Sequence, residues 1–204
     1  MASSTTKGEL IMDTTVNNGR RKLLRVGGTS LLSATAVALL AGCERMASQA
    51  QAQTNPAGDV QILNVALGLE HEAISAYSIA AGSGLVSKAV LPVAVTFQGH
   101  HKEHRDALIA TIRKLGGTPV AAKPDAEVAK ALNAASLKNQ TDVLRLAQRL
   151  ERGAANAYLG VIPSFSDKGL AQVSAKLASD ETGHWMVLSQ ALGDALSPKA
   201  FYVG

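Results

Sequence analysis

The chain is 204 residues long with a formal charge of +4, and only 3% of its residues are aromatic. Residues 1–42 hold five basic side chains (Lys7, Arg20, Arg21, Lys22, Arg25) and two acidic ones (Glu9, Asp13), leaving 15 basic against 14 acidic groups in the remainder. A near-neutral domain with few aromatic rings has neither the basic surface nor the stacking platform that nucleic acid requires, so no nucleic-acid partner is expected.

The first 42 residues read as an export signal rather than as part of a fold. Gly19-Arg20-Arg21-Lys22-Leu23-Leu24-Arg25 closely matches a twin-arginine signal, and the stretch after it, 26–42, is rich in Ala, Leu and Gly. At 17 residues it is shorter than the roughly 20 apolar residues of a membrane span. Leu40-Ala41-Gly42-Cys43 resembles a bacterial lipoprotein cleavage box, with Cys43, the only cysteine, as the acylated residue. An ordinary cleaved signal with an incidental cysteine, or an uncleaved anchor, fits the same residues. The expected location is therefore the periplasm or cell envelope, with a membrane partner reached through acylated Cys43. The twin-arginine route carries folded proteins, often with a cofactor already inserted, which leans toward a metalloprotein.

Residues 43–58 lack apolar periodicity and read as a flexible tether, so the domain spans 59–204. Its roughly 145 residues suffice for one sizeable core. Helix one is expected over 59–82, capped by Asp59 and stopped by Gly82-Ser83-Gly84, with a stripe of Leu63, Ala66, Leu67, Ile74 and Tyr77. Helix two is expected over 86–115, bent or restarted at Pro92, with Ala94, Phe97, Leu108, Ile112 and Leu115 on its inner face. A long connection over 116–139 has room for a short helix near 126–137. Helix three follows over 141–160, capped by Thr141, with Leu144, Ala147, Ala154 and Tyr158 facing in. Helix four covers 167–195, with Leu170, Val173, Leu177, Leu188 and Leu192. No alternating run argues for a sheet. The fold class is all-α: two helical hairpins joined by a long crossover.

The sequence reads as a two-helix unit used twice. Leu69-Glu70-His71-Glu72-Ala73-Ile74-Ser75-Ala76-Tyr77 parallels Leu150-Glu151-Arg152-Gly153-Ala154-Ala155-Asn156-Ala157-Tyr158, and each half is followed by a helix bearing a histidine. Glu70 and Glu151 are 81 residues apart, and His104 and His184 are 80 apart. Glu70, His104, Glu151, Glu181 and His184 all interrupt apolar stripes, and His101 sits on the same face as His104. A buried carboxylate without a partner costs several kcal/mol, against a net domain stability of about 5 to 15 kcal/mol. Positive charge must therefore lie among them. One or two divalent ions would supply it, and carboxylate and imidazole donors suit iron, manganese or zinc.

On these residues the chain resembles the ferritin-like superfamily of di-metal carboxylate bundles, in particular exported ferritin-like domain proteins, over about 59–196. The resemblance implies a four-helix bundle in which helices one and three each give a Glu, here Glu70 and Glu151. Helices two and four then each give Glu-x-x-His. Glu181-Thr182-Gly183-His184 matches that motif, whereas helix two departs from it with His101 in the glutamate position, and Glu103 lies about 100° around the helix from the histidine. Three carboxylates would then face up to four positive charges, so the site holds two ions with a hydroxide or oxide bridge, one ion, or one tightly and one loosely. His101 is either a ligand or a hydrogen-bonding neighbour of one.

The activity so implied is ferrous-ion oxidation or peroxide and oxygen handling, with iron as the expected cofactor and manganese or zinc as alternatives. A different reading is a non-enzymatic envelope or stress lipoprotein that keeps the bundle without metal turnover. Tyr77, Tyr158 and Trp185 read as packing residues, with the tyrosine hydroxyls satisfied. His71, Glu72, His100 and Glu103 read as solvated neighbours pointing away from the stripes, although the gathering of all five histidines leaves an auxiliary point of metal uptake open. A tether at Cys43 argues against a storage-ferritin shell and leaves a homodimer open.

Overall fold

The computed structural model describes residues 55–195, so the expected export signal, the acylated Cys43, most of the tether and residues 196–204 lie outside the described residues. Within them the chain forms five α-helices and no strand: α1 Pro56–Gly82, α2 Leu91–Lys114, α3 Asp125–Ala131, α4 Gln140–Val161 and α5 Lys168–Ala191. α1 pairs with α2, and α4 with α5, and the crossover that carries α3 lies against α1. This is the expected architecture of two hairpins and a long crossover. None of the described helices is long and apolar enough to cross a membrane.

The helix ends depart from expectation for local reasons. α1 starts three residues early because Asn55 caps it, its side chain accepting from Gly58 N at 3.0 Å, and Pro56 takes a first-turn position where no N–H is needed. Asp59 is not the cap. It is buried and accepts from Ser166 N at 2.8 Å and Ser166 Oγ at 2.7 Å, tying the first turn of α1 to the α4–α5 connection. Of the two expectations for Pro92, the restart holds and the bend does not: α2 begins only at Leu91, five residues later than expected, and the proline lies in its first turn. Asn139, not Thr141, caps α4 by accepting from Asp142 N at 2.9 Å.

α2 does end at the expected glycines. Gly116 adopts φ +79°, and Gly117 N donates to Ile112 O at 2.9 Å, a left-handed helix stop that glycine adopts without strain. The short crossover helix is broken after α3 at Asn133, φ 51°, and resumes as a 3₁₀ turn at Ala134–Ser136.

Two apolar layers fill the bundle. One gathers Leu63, Leu67, Leu108, Ile112, Leu177 and Ala178, and the other Tyr77, Phe97, Leu144 and Leu188. One stripe residue does not face in as expected: Val173 is 42% exposed, and Ser174 is buried instead, its hydroxyl donating to Tyr158 O at 2.8 Å. Between the two apolar layers, at the level of residues 70, 101–104, 151 and 181–184, lies a polar one.

Candidate metal centre

All six side chains singled out from the sequence are buried in that layer: Glu70 from α1, His101 and His104 from α2, Glu151 from α4, Glu181 and His184 from α5. They form two overlapping sets of four. Glu70, His101, His104 and Glu181 make one, and His101, Glu151, Glu181 and His184 the other, with one donor atom per residue lying within 4.8 Å of the rest of its set. The shared members are His101 and Glu181, which the duplication relates at an offset of 80. His101 thus stands where the repeat would put the partner of Glu181.

The rings are aimed by the carboxylates. His101 places Nδ1 at 2.8 Å from Glu70 Oε2 and Nε2 at 3.3 Å from Glu151 Oε1, spanning both sets. His104 Nδ1 lies 3.1 Å from Glu181 Oε1 and 3.5 Å from Glu70 Oε1. His184 Nδ1 lies 3.2 Å from Glu181 Oε2 and 3.4 Å from Glu151 Oε2. The two tyrosines cross between hairpins: Tyr77 of α1 donates its hydroxyl to Glu151 of α4, and Tyr158 of α4 donates to Glu70 of α1. Their hydroxyls are satisfied as expected, and they also hold the carboxylates in place, which packing alone does not require.

Charge inside this layer is balanced by proton sharing. Burial opposes a charged His101, but its hydrogen bonds to Glu151 and Glu70 outweigh that and raise it to about 10. His104 rises to about 10 in the same way, against burial and through Glu181 and Glu70, and His184 is raised, against burial, through Glu151 and Glu181. Burial would lift Glu70 and Glu151, yet the surrounding imidazoles carry both below the ordinary carboxylate range. Glu181 goes the other way, pushed up by burial and by the neighbouring Glu151 against the pull of His104 and His184. Burial, then the adjacent carboxylates, drive both tyrosines well above their ordinary value, so they remain donors. Three carboxylates thus meet three imidazoles.

Two residues touch this arrangement from its rim without joining either donor set. Asp180 Oδ2 lies 3.2 Å from Nε2 of His104, and His100 Nδ1 lies 2.9 Å from Nε2 of His184. His100 does not point away as expected. It is exposed on α2, but its ring meets that of His184 edge to edge, the planes 17° apart and the centroids 5.2 Å from each other. The signal for both was available: each stands four residues before the histidine of its helix, and they too are 80 apart. The remaining neighbours lie outside the centre. Glu103 is exposed, Glu72 lines a cavity between α1 and α4, and His71 Nε2 lies 3.2 Å from the Val120 carbonyl. Trp185 is buried, in keeping with a packing role.

The donors fit a transition metal. Each set offers two carboxylates and two imidazoles or, around His101 and Glu181, shares them, and these are the hard and intermediate donors that iron, manganese and zinc accept, gathered where water is scarce. Beside them, the cavity between α1 and α4, about 80 Å³, reaches in to Tyr77, His101 and Glu151.

Comparison with known proteins agrees with this geometry. The family model described as "Ferritin-like domain" matches residues 58–194. The crystal structure of a conserved hypothetical protein, rv2844, from Mycobacterium tuberculosis superposes with a TM-score of 0.58 at 21% identity, covering 68% of this chain and all of that one, a likeness of fold. No curated protein matches the chain.

Proposed function

The chain belongs to the ferritin-like domain family, and on that premise we propose that it is an exported protein that binds one or two iron ions and oxidises ferrous ion or disposes of oxygen or peroxide. The observation that carries this is the pair of overlapping buried donor sets. Glu70 and His104 would hold one ion, Glu151 and His184 the other, with Glu181 and His101 reaching both. Held by these residues, iron would supply one-electron redox chemistry toward an oxidant.

The chain's own residues do the rest. Tyr77 and Tyr158 fix Glu151 and Glu70 by hydrogen bonds across the hairpins, so these two carboxylates cannot swing freely. The apolar layers above and below exclude bulk water, which strengthens every charge interaction in the polar layer. Export by the twin-arginine signal and anchoring through acylated Cys43 would place the activity in the periplasm or cell envelope.

A second reading has its own support. With three imidazoles answering three carboxylates, the layer is charge-balanced without any ion, as a non-enzymatic envelope protein would need. Metal analysis of the folded protein, with oxygen consumption on adding ferrous ion, separates the two. Bound iron with turnover supports the metal centre, and Glu151→Ala or His184→Ala should then each lose most of the metal. Retention by both variants, or a metal-free chain whose melting temperature ignores added iron, would discard it.

A further inference from the structure

A divalent cation must exchange its water shell for protein donors on its way to six buried side chains, since a charge stripped of ligands is strongly disfavoured in a low-dielectric passage. Among the described residues, two sides of the bundle can be compared as approaches to the centre, and they differ in chemistry. Between α1 and α4, the cavity that ends at Tyr77, His101 and Glu151 is walled mainly by carbon, with Ala73, Leu146 and Leu150 along it and Glu72 as its one carboxylate outside the centre. It gives an ion few stepping stones.

The seam between α2 and α5 is the opposite case. The helices run antiparallel here, since residue 100 meets 184 and residue 104 meets 180, and polar side chains bridge them. His100 is exposed, and the Asp180 side chain is 59% exposed. Each abuts the outward nitrogen of a buried imidazole whose inward Nδ1 faces the carboxylates: His100 at His184, 2.9 Å, and Asp180 at His104, 3.2 Å. Phe97 stacks on the His184 ring at 4.1 Å and covers one face, so that ring is approached by its edge, where His100 stands.

Resting on the metal-centre reading above, we propose that the α2–α5 seam is the door through which a divalent transition-metal ion enters, with His100 and Asp180 as its outer ligands. The imidazole and the carboxylate take the ion at the surface and replace part of its water. His184 and His104, whose rings run from the rim to the carboxylates, then pass it inward, so the ion keeps a nitrogen or oxygen donor at every step. The duplication has supplied the two outer ligands from equivalent positions in different chemical form, one an imidazole and one a carboxyl group.

The test mixes metal-free full chain with Co(II) and follows the visible absorption of the bound ion by stopped flow. In the double variant His100→Ala/Asp180→Asn, loading should slow at least tenfold while the final Co(II) content stays as in the parent, because all six inner donors remain and the amide oxygen introduced at position 180 still accepts from His104. His71→Ala, which removes an imidazole bonded elsewhere, should load at the parent rate. Should the double variant fail to fold, His100→Ala alone, at an exposed position, carries the comparison with a several-fold slowing. Loading at the parent rate would overturn the door, as would a lower final content at an unchanged rate, which would mark residues that only tune the finished centre. A parent chain that takes up no Co(II), or Co(II) uptake that survives both Glu151→Ala and His184→Ala, would instead overturn the metal centre and the door with it.

Discussion

At His101 both ring nitrogens face a carboxylate, which makes this histidine the internal cation of the metal-free bundle. With His101 and His104 raised to about 10, the stability they contribute is fully present below the ordinary histidine value of 6.5 and is lost as pH rises through about 10. Glu70 and Glu151 are lowered, so their contribution is present above the ordinary 4.5 and is lost as pH falls through their depressed values. Glu181, raised, opposes them in part, since its contribution fades as pH rises past 4.5. Thermal melts of the metal-free chain should therefore peak between pH 4.5 and 6.5 and decline toward pH 10 and toward strong acid. Metal reverses the alkaline trend. Ligand imidazoles must release protons, so metal affinity should climb with pH and about three protons, one from each of His101, His104 and His184, should leave per filled centre, read by titration in weak buffer. Tyr77→Phe and Tyr158→Phe each strip a donor from a buried carboxylate and should cost about 1 to 3 kcal/mol in denaturant melts, by similar amounts given their crossed equivalence. The six central residues were legible because an acid or imidazole on an apolar stripe violates the pattern around it. Asp180 and His100 were not, because a polar residue on the rim of a helix looks solvated unless its repeat partner is sought.

Helices were legible as elements because their apolar stripes recur at the three-and-four spacing, but their ends are set by side-chain choices that periodicity does not encode. Asp59 illustrates this. An acidic residue before an apolar run looks like a cap, and here Asn55, four residues earlier, takes that role while Asp59 turns inward to Ser166, 107 residues away in sequence. The long-range bond has a consequence for the element. Asp59→Ala removes the buried carboxylate that ties the first turn of α1 to the α4–α5 connection and deprives Ser166 N–H of its acceptor, which should cost about 1 to 3 kcal/mol, measured as a lower denaturant midpoint at unchanged slope. Asn55→Ala should cost only about 1 kcal/mol, because it removes a cap at an exposed helix end. If the two losses were equal, Asp59 would be acting as no more than a cap. The exposed Val173 has the same origin: 174, 177, 181, 184 and 188 form the inward face of α5, and one position to the side falls on its edge.

For the molecule as a whole, the duplication governs which charges oppose which. Two hairpins meet so that each supplies a Glu, a tyrosine that bonds the other hairpin's Glu, and a histidine whose outer nitrogen meets the other's rim residue. The symmetry breaks at one internal position, where His101 faces Glu181. Where the family resemblance implies four carboxylates and two imidazoles, this layer has three of each, which balances its charge without an ion. His101→Glu should therefore restore the family pattern at a cost to the empty protein. The variant exchanges a buried cation for a fourth buried carboxylate, and breaking a buried pair in this way costs about 3 to 5 kcal/mol. Its metal-free melting temperature should fall steeply, or the chain should fail to fold. Added Fe(II) or Mn(II) should raise the melting temperature by more than in the parent, because an ion that binds only the folded state stabilises it in proportion to the logarithm of its saturation. Metal content should also move to two ions per chain. A variant as stable as the parent without metal, and indifferent to its addition, would mean that His101 does not balance the charge of this layer, and that something other than the three imidazoles keeps the carboxylates inside.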